Sequence, residues 1–428
     1  MTLPGYIDTY YAATLGEHKQ FPALEENLEV DVCVIGGGFA GLNTALGLAE
    51  RGKKVAVVES KRIGWGASGR NAGFVAKGYA AGEEYLLKKL GKDKAKKLVT
   101  LTQNARKTIL GRIEKYNIDC GPIIKGVLTA SWQDNDDELK AYVEESNANF
   151  NTGFEFWPQE RIREACKTER YHNAVYSEQD YQFHPLRYVH GVARAVTEQG
   201  GKIFENSPAV KIEESGADWL VKTEKGSVKA RHVVLCCSIY LDDGLDRKLA
   251  NASFPVQTYI TVTKPVDEEL LKQSINTRCA ISDMRFCSDY YRRLEGGRIL
   301  WGGRVAIWAD PTDISAMLMG DMYKVYPQLK GHVESEFAWS GLLCYAPHKM
   351  PQLGEIKRGY WYCTGFGGHG IAPTTVGGEL VAAAIAEGDD TYKSFEPFGI
   401  GYAGGKMGRY VAQLVYLWWR ARDYLNVA

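Results

Sequence analysis

"DVCVIGGGFAGLNTALGLAERGKKVAVVES", Asp31 to Ser60, decides the fold. Val30 to Ile35 is a short apolar run without alternation, the pattern of a strand buried on both faces. Gly36, Gly38 and Gly41 follow it directly. Leu42, Ala45, Leu46, Leu48 and Ala49 then recur at helical spacing until Gly52 stops the helix. Lys54 to Val58 reads as a second strand, ended by Glu59, 23 residues after Gly36. In such a unit the first glycine permits a tight turn, the second lets a pyrophosphate approach the backbone, and the third lets the helix pack on the strand. Amides at the helix start hold phosphate, and the terminal carboxylate accepts from ribose hydroxyls. A glycine triplet alone is weak; strand, glycines, helix, strand and acid within ~30 residues specify a dinucleotide-binding unit. The acid would repel a 2′-phosphate, which disfavours NADP and leaves NAD and FAD open.

"IGWGASGRNAGF", Ile63 to Phe74, separates those two. An NAD enzyme would usually continue into more strand and helix here. A loop with so few bulky side chains can lie flat against a planar ligand, and Ser68, Arg70 and Asn71 supply donors toward phosphate or ring oxygens. That suits a flavin, although composition alone also describes a mobile surface loop.

A chain of 428 residues exceeds one ordinary core, so two domains are the default. Its 52 basic and 52 acidic side chains cancel without a run of either sign, which removes nucleic acid as a partner. Nine scattered cysteines lack metal-binding spacing and read as reduced thiols of a cytoplasmic protein; no metal is expected. The start of the chain lacks the basic flank and apolar core of a secretory signal, and no window approaches the ~18 apolar residues of a membrane span.

The two loops together resemble the amino-terminal signature of the FAD-dependent D-amino-acid oxidase/glycine oxidase superfamily, within it the branch of gamma-glutamylputrescine oxidoreductase-like amine oxidases. The likeness extends to "TYYAAT" (9–14), to "QFHPLRYVHGVARAVTEQGGKIFENSPAV" (182–210), where a His-Pro opens a helix, and to "GYWYCTGFGGHGIAPTTVGGELVAAAIAEG" (359–388). It covers 6–78, 181–237 and 338–388, with the middle of the chain matching loosely. The implied fold is α/β: a Rossmann-like FAD-binding domain of the glutathione-reductase type, with an interleaved α+β substrate domain built on a mixed sheet. The expected division is 1–88, 158–240 and 338–428 for the FAD-binding domain, and 89–157 and 241–337 for the substrate domain.

Local patterns fill in the rest. Composition predicts a helix over Glu83–Tyr116, others over Asp136–Asn147 and Gln159–Cys166, and a strand over Gly126–Trp132. Short strands alternate with turns over Gly201–Cys237, and "FPVQTYITVTKP", "RFCSDYYRRLE" and "GRILWGGRVAIW" (254–308) read as long strands. Tyr360–Cys363 is a buried-strand pattern, Gly365–Gly370 a loop, and Val376–Ala386 helical.

The loops and the resemblance place FAD contacts at Gly36, Gly38, Phe39, Ala40 and Gly41, at Glu59 and Ser60, and at Gly66, Ala67, Ser68, Arg70, Asn71, Ala72 and Gly73. Further contacts are expected at Val210 and at Gly365, Gly367, Gly368, His369, Gly370 and Ile371, the last helix start presenting amides to the flavin's carbonyl edge. The implied reaction oxidises an amine C–H bond, with O2 or another acceptor reoxidising the flavin. His369 is a candidate for proton transfer, or a structural histidine hydrogen-bonded to fix its loop. Arg304 stands near where sarcosine oxidases carry a lysine that helps oxygen react, or is a surface arginine. Relatives that hold an amino-acid carboxylate often carry a lysine two residues after "GHG"; Ala372 there tilts the reading toward a polyamine-type substrate. "SGRNAG" lacks the histidine some relatives link to flavin, and Cys344 is only near the position others use, so non-covalent FAD is expected. His348 replaces a usual Asp or Asn, and Cys237-Ser238 a usual Thr-Gly. "MGRYVAQLVYLWWRARDYL" (407–425) has the mix of an interfacial helix, which would suit a quinone-linked dehydrogenase, or it packs on its own FAD domain. A flavoprotein without turnover, serving as sensor or docking module, is the reading from another class; an NAD dehydrogenase is the weakest.

Overall fold

A computed structural model describes residues 5–307 and 311–427, so Trp308, at the end of an expected strand, lies outside the described residues. The elements that position the cavity are, in chain order, β1 (Asn27–Ile35), α1 (Phe39–Glu50), β2 (Val55–Val58), α2 (Lys92–Lys115), β3 (Ser227–Leu235), β4 (Phe254–Thr263), β5 (Arg298–Ala306), β6 (Ser335–Tyr345), β7 (Tyr360–Thr364), α3 (Ile371–Glu387) and α4 (Gly405–Val427).

The first sheet runs Gln352–Lys357, β7, β3, β1, β2, Lys202–Phe204. β1 is parallel to both β3 and β2, and β3 to β7. Val32 and Val34 of β1 face one core and Cys33 and Ile35 the opposite one, as Val55 and Val57 alternate with Ala56 and Val58 on β2. A strand covered on both faces has no polar side, which is why β1 reads as a continuous apolar run. The second sheet runs β6, β4, β5, Tyr290–Leu294, Ala280–Asp283, Ile124–Ser131, Asn173–Gln182, Phe74–Val75, mostly antiparallel with one parallel pair at Ala280–Asp283. It takes strands from 74–75 and 173–182, so sheet membership does not coincide with the expected division at 88 and 158.

The helix expected over Glu83–Tyr116 is two helices, Glu83–Leu90 and α2, because Gly91 takes a left-handed φ of 76° that ends one and starts the other. α3 packs on α1 and α2. Its crossing with α1 is set by glycines: a Cβ on Gly378 would lie 2.7 Å from the Thr44 amide, and one on Gly47 would lie 2.9 Å from Ala382 Cβ. This close crossing aims the N-termini of α1 and α3 into one space.

Arg112 of α2, 5 % exposed, locks the three helices. It donates to Asn43 Oδ1 (2.8 Å) and Glu50 Oε2 (2.9 Å) and pairs with Glu379. Burial alone would raise the Glu50 carboxyl, but hydrogen bonds from Lys115, Arg112 and Tyr116 outweigh it and hold the group at about 2. Breaking such a pair from one side leaves partly buried carboxylates uncompensated, so Arg112→Met is expected to lower unfolding free energy by ~3–5 kcal/mol in urea titrations at neutral pH.

Candidate active site

The first glycine loop is built by steric necessity. Gly36 has a φ of 110°, and a Cβ there would come within 2.7 Å of the Cys236 carbonyl. A Cβ on Gly41 would sit 1.9 Å from the Gly36 carbonyl, so Gly41 serves helix packing and lies off the cavity wall. α1 begins at Phe39, with no side chain capping it at Gly38. Ser68 Oγ accepts from the Phe39 amide at 2.9 Å. Glu59 turns back onto the loop: Oε2 accepts from the Gly37 amide (2.6 Å) and Oε1 from the Lys61 amide (2.8 Å). Burial raises its carboxyl while those amides oppose the rise. Glu59 lines the cavity, and a carboxylate has lone pairs beyond those bonds to accept ribose hydroxyls.

The second loop makes a 3-10 turn at Ala67–Gly69 and is tied to the first by the Gly64 amide donating to the Gly37 carbonyl at 2.9 Å. Arg70 donates through Nε to the Trp65 carbonyl (2.8 Å) and lies over the Trp65 ring at 4.2 Å. Its Nη2 is buried with no protein partner on the cavity wall. A buried guanidinium nitrogen without an acceptor fits an anionic or carbonyl-bearing ligand. Asn71 corrects one expectation. Its side-chain amide donates to the Ala67 and Ser68 carbonyls and its oxygen accepts from the Gly73 amide, so the side chain shapes the loop and has no donor left for a ligand.

Across the cavity, the closing motif follows β7. The Gly367 amide donates to the Cys344 carbonyl at 2.8 Å, which ties this loop to β6. α3 starts at Ile371 after Gly370, again with no side-chain cap. His369 stands on the cavity wall, and no hydrogen bond to its ring occurs among the described residues, contrary to the loop-fixing reading. Surrounding protein lowers its pKa; Asp180 opposes and Lys77 assists the drop.

These segments enclose a cavity of about 1750 Å³, beyond the ~300–1,000 Å³ of ordinary ligand sites and roomy enough for a dinucleotide and a substrate. Gly36, Gly38, Phe39, Ala40, Glu59, Ser60, Gly66, Ala67, Ser68, Arg70, Asn71 and Ala72 line it, as do Gly367, Gly368, His369, Gly370 and Ile371. Gly73 and Gly365 stay off the wall as turn glycines with φ of 81° and 74°. Val210 is not brought to the cavity: its amide donates to the Lys222 carbonyl (2.8 Å) and its side chain is exposed, while Pro208 and Ala209 line the wall.

Arg304 reaches the wall, but Asp321 grips its guanidinium at 2.6 and 2.7 Å, so its charge is already balanced. Sequence reasoning passed over Lys349, a cavity-lining lysine with no carboxylate partner among the described residues; its Nζ sits 4.5 Å from the Trp419 ring centre and burial lowers its pKa. Nothing in "PHKMP" distinguishes such a lysine from a surface one. Sequence reasoning also missed Lys77–Glu83 and Arg106–Asp180, ion pairs whose Lys77, Glu83 and Asp180 line the cavity beside Tyr142 and Phe154. His348 explains its own substitution: Nδ1 accepts from the Met350 amide at 3.1 Å, the turn bond that Asp or Asn would make. Cys344 lines the cavity with its thiol 3.0 Å from Ser253 Oγ. Among the described residues no His, Cys, Asp and Glu cluster could hold a metal, and no helix is long and apolar enough to cross a membrane.

A parallel-sheet dinucleotide loop, a second small-residue loop and an opposed helix N-terminus around one large cavity define a flavin-dependent oxidoreductase. Residues 31–384 match the family model described as DAO, FAD dependent oxidoreductase, and the chain belongs to that family, with FAD as its cofactor and amines or amino acids as its substrate class. It is 33% identical over 395 residues to gamma-glutamylputrescine oxidoreductase of Escherichia coli (strain K12), covering 91% of each chain. It is 33% identical over 400 residues, again 91% of each, to a probable oxidoreductase OrdL of Haemophilus influenzae. Among solved structures, glycine oxidase from Geobacillus kaustophilus superposes with a TM-score of 0.73 at 21% identity, covering 88% of this chain and 99% of that one. L-proline dehydrogenase from P.horikoshii gives 0.72 at 21% identity, with 86% and 96% covered.

Glu59→Ala removes a charged acceptor for two loop amides on the cavity wall, where the ribose of FAD is expected. Hydrogen bonds to charged groups contribute ~1.5–3 kcal/mol, so the FAD dissociation constant is expected to rise ~10- to 100-fold in flavin fluorescence titrations of the apoprotein.

Proposed function

We propose that the protein oxidises the amine of gamma-glutamylputrescine or a closely similar substituted amine and passes the electrons to O2. Amine, water and O2 become aldehyde, ammonia and H2O2. The 33% identity to gamma-glutamylputrescine oxidoreductase over 91% of both chains carries this reading. Ala372, buried at 1% exposure, supports it, because no cation stands there to hold an α-carboxylate.

Bound FAD supplies the hydride acceptor. The protein's part is to deliver a neutral amine to it, since an ammonium has no lone pair to expel the hydride. Tyr142, Phe154 and Tyr290 line the cavity and disfavour a charged amine by excluding water. His369, without a hydrogen-bond partner among the described residues on the same wall, accepts the ammonium proton. The first amides of α3 offer partial positive charge to an anionic ligand, and Lys349 offers a full charge to reduced oxygen. The FAD is held by these non-covalent contacts, with the Cys344 thiol turned to Ser253.

Anaerobic bleaching of the flavin by gamma-glutamylputrescine, followed by return of the oxidised spectrum and stoichiometric H2O2 on admitting O2, is the expected result. No bleaching by any of a panel of amines would overturn the substrate reading, and bleaching without reoxidation by O2 would overturn the acceptor. His369 contributes through its neutral form, which is lost as pH falls through its lowered pKa. The acidic limb of kcat/KM should therefore lie below the ordinary histidine value of ~6.5. His369→Asn should lower kcat/KM ~100-fold near neutrality, the deficit shrinking at high pH, where the substrate arrives already deprotonated.

A further inference from the structure

We infer that the chamber around Lys77 and Glu83 holds the far end of the substrate and selects a zwitterionic α-amino-acid head, an inference that rests on the amine-oxidase reading above. The segment 76–83 passes the closing loop, where a Cβ on Gly367 would lie 3.1 Å from Ala80 Cβ, and follows the cavity wall to Glu83. One face of the second sheet forms the floor beside it. Ser177 stands opposite Val127 and Phe154 in the strand register, and Thr129 opposite Val175, and all five line the cavity.

Two buried polar atoms in this chamber are left without a partner among the described residues. Glu83 Oε1 takes the Lys77 ammonium, but Oε2 accepts no hydrogen bond. Ser177, 3% exposed, likewise has an unpartnered Oγ. A buried carboxylate oxygen with no donor is costly, and a ligand ammonium supplies donors to both atoms. Lys77 gives Glu83 one of an ammonium's three donors, and its Nζ lies 4.2 Å from the Phe154 ring centre, so donors remain for a carboxylate. Asp180 pairs with Arg106, which completes a balance of two cations and two anions. That balance chooses the ligand. A lone ammonium or a lone carboxylate would leave one buried charge uncompensated among the aromatic walls, whereas a head carrying both leaves the chamber neutral. Such a pair on one carbon is the α-amino-acid head of a gamma-glutamyl amide. The reacting carbon at the other end carries no carboxylate, in keeping with Ala372.

Calorimetric titration of the holoprotein with gamma-glutamylbutylamide, which keeps the head and lacks the terminal amine, tests this without turnover. The native protein should bind it ~10-fold more tightly than gamma-aminobutyryl butylamide, which lacks the carboxylate, or glutaryl butylamide, which lacks the ammonium. It should bind N-butylacetamide, which lacks both, ~100-fold more weakly. Lys77→Met/Glu83→Gln removes both charges together so that neither is stranded, and should bring the four ligands to within about twofold of one another. Ser177→Ala should weaken only the two ammonium-bearing ligands, and it decides the matter if the double variant fails to hold flavin. Equal native affinity for the four ligands, or a preference that survives the double variant in a folded holoprotein, would overturn the inference. So would tighter binding of the ammonium-only ligand than of the zwitterion. Head binding by a protein whose flavin no amine bleaches would uphold the chamber and overturn the amine-oxidase reading alone; bleaching by gamma-glutamylputrescine without head binding would do the reverse.

Discussion

The distance between Gly41 and the Gly36 carbonyl governs the architecture. With no room for even one carbon between them, α1 lies directly on the end of β1, and its first amides open where the chain leaves the sheet. The same economy recurs where Gly47 and Gly378 let α1 and α3 cross, so two helix N-termini from opposite ends of the sequence share one cavity. Both ends present partial positive charge there, which an apolar enclosure strengthens. The binding of an anionic cofactor is therefore a by-product of backbone packing, and individual side chains refine it.

The cavity's charges are largely balanced before any ligand arrives. Lys77 meets Glu83, Arg106 meets Asp180, and Arg304 meets Asp321. Arg70, Lys61 and Lys349 have no carboxylate partner among the described residues and lie along the wall from the adenosine end to the far loop. Among the wall's carboxylates Glu59 and Asp242 likewise have no cation partner among the described residues, whereas the aromatic chamber near Tyr142 and Phe154 carries the paired Lys77, Glu83 and Asp180 and is nearly neutral.

What could be read from the sequence was local. β1, α1 and β2 announce themselves because burial pattern, glycines and acid fall within one short segment, and the closing motif repeats the device. Arg304 could not be read, since its fate depends on Asp321, 17 residues further along the chain, a pairing that no spacing reveals. Asn71 looked like a ligand donor for the same reason that it is a turn residue: a short amide side chain bonds its own backbone as readily as anything else. The break at Gly91 was hidden because a single glycine in a helical composition is ambiguous until its φ is known. Lys349 and Val210 are opposite cases, one drawn to the cavity and the other turned from it by tertiary contacts without a local signature.

β1 stands between a neighbour made soon after it and another made much later: β2 pairs at Val55, whereas the partner on the other edge begins at Ser227. During synthesis that inner edge stays open for most of two hundred residues, a long parallel template of unpaired amides and carbonyls. α4 packs on the second sheet through Val305 and Ile307. Until β3 joins it, β1 has one parallel neighbour only, so the strand that carries the dinucleotide loop is completed by a pairing far away in the chain.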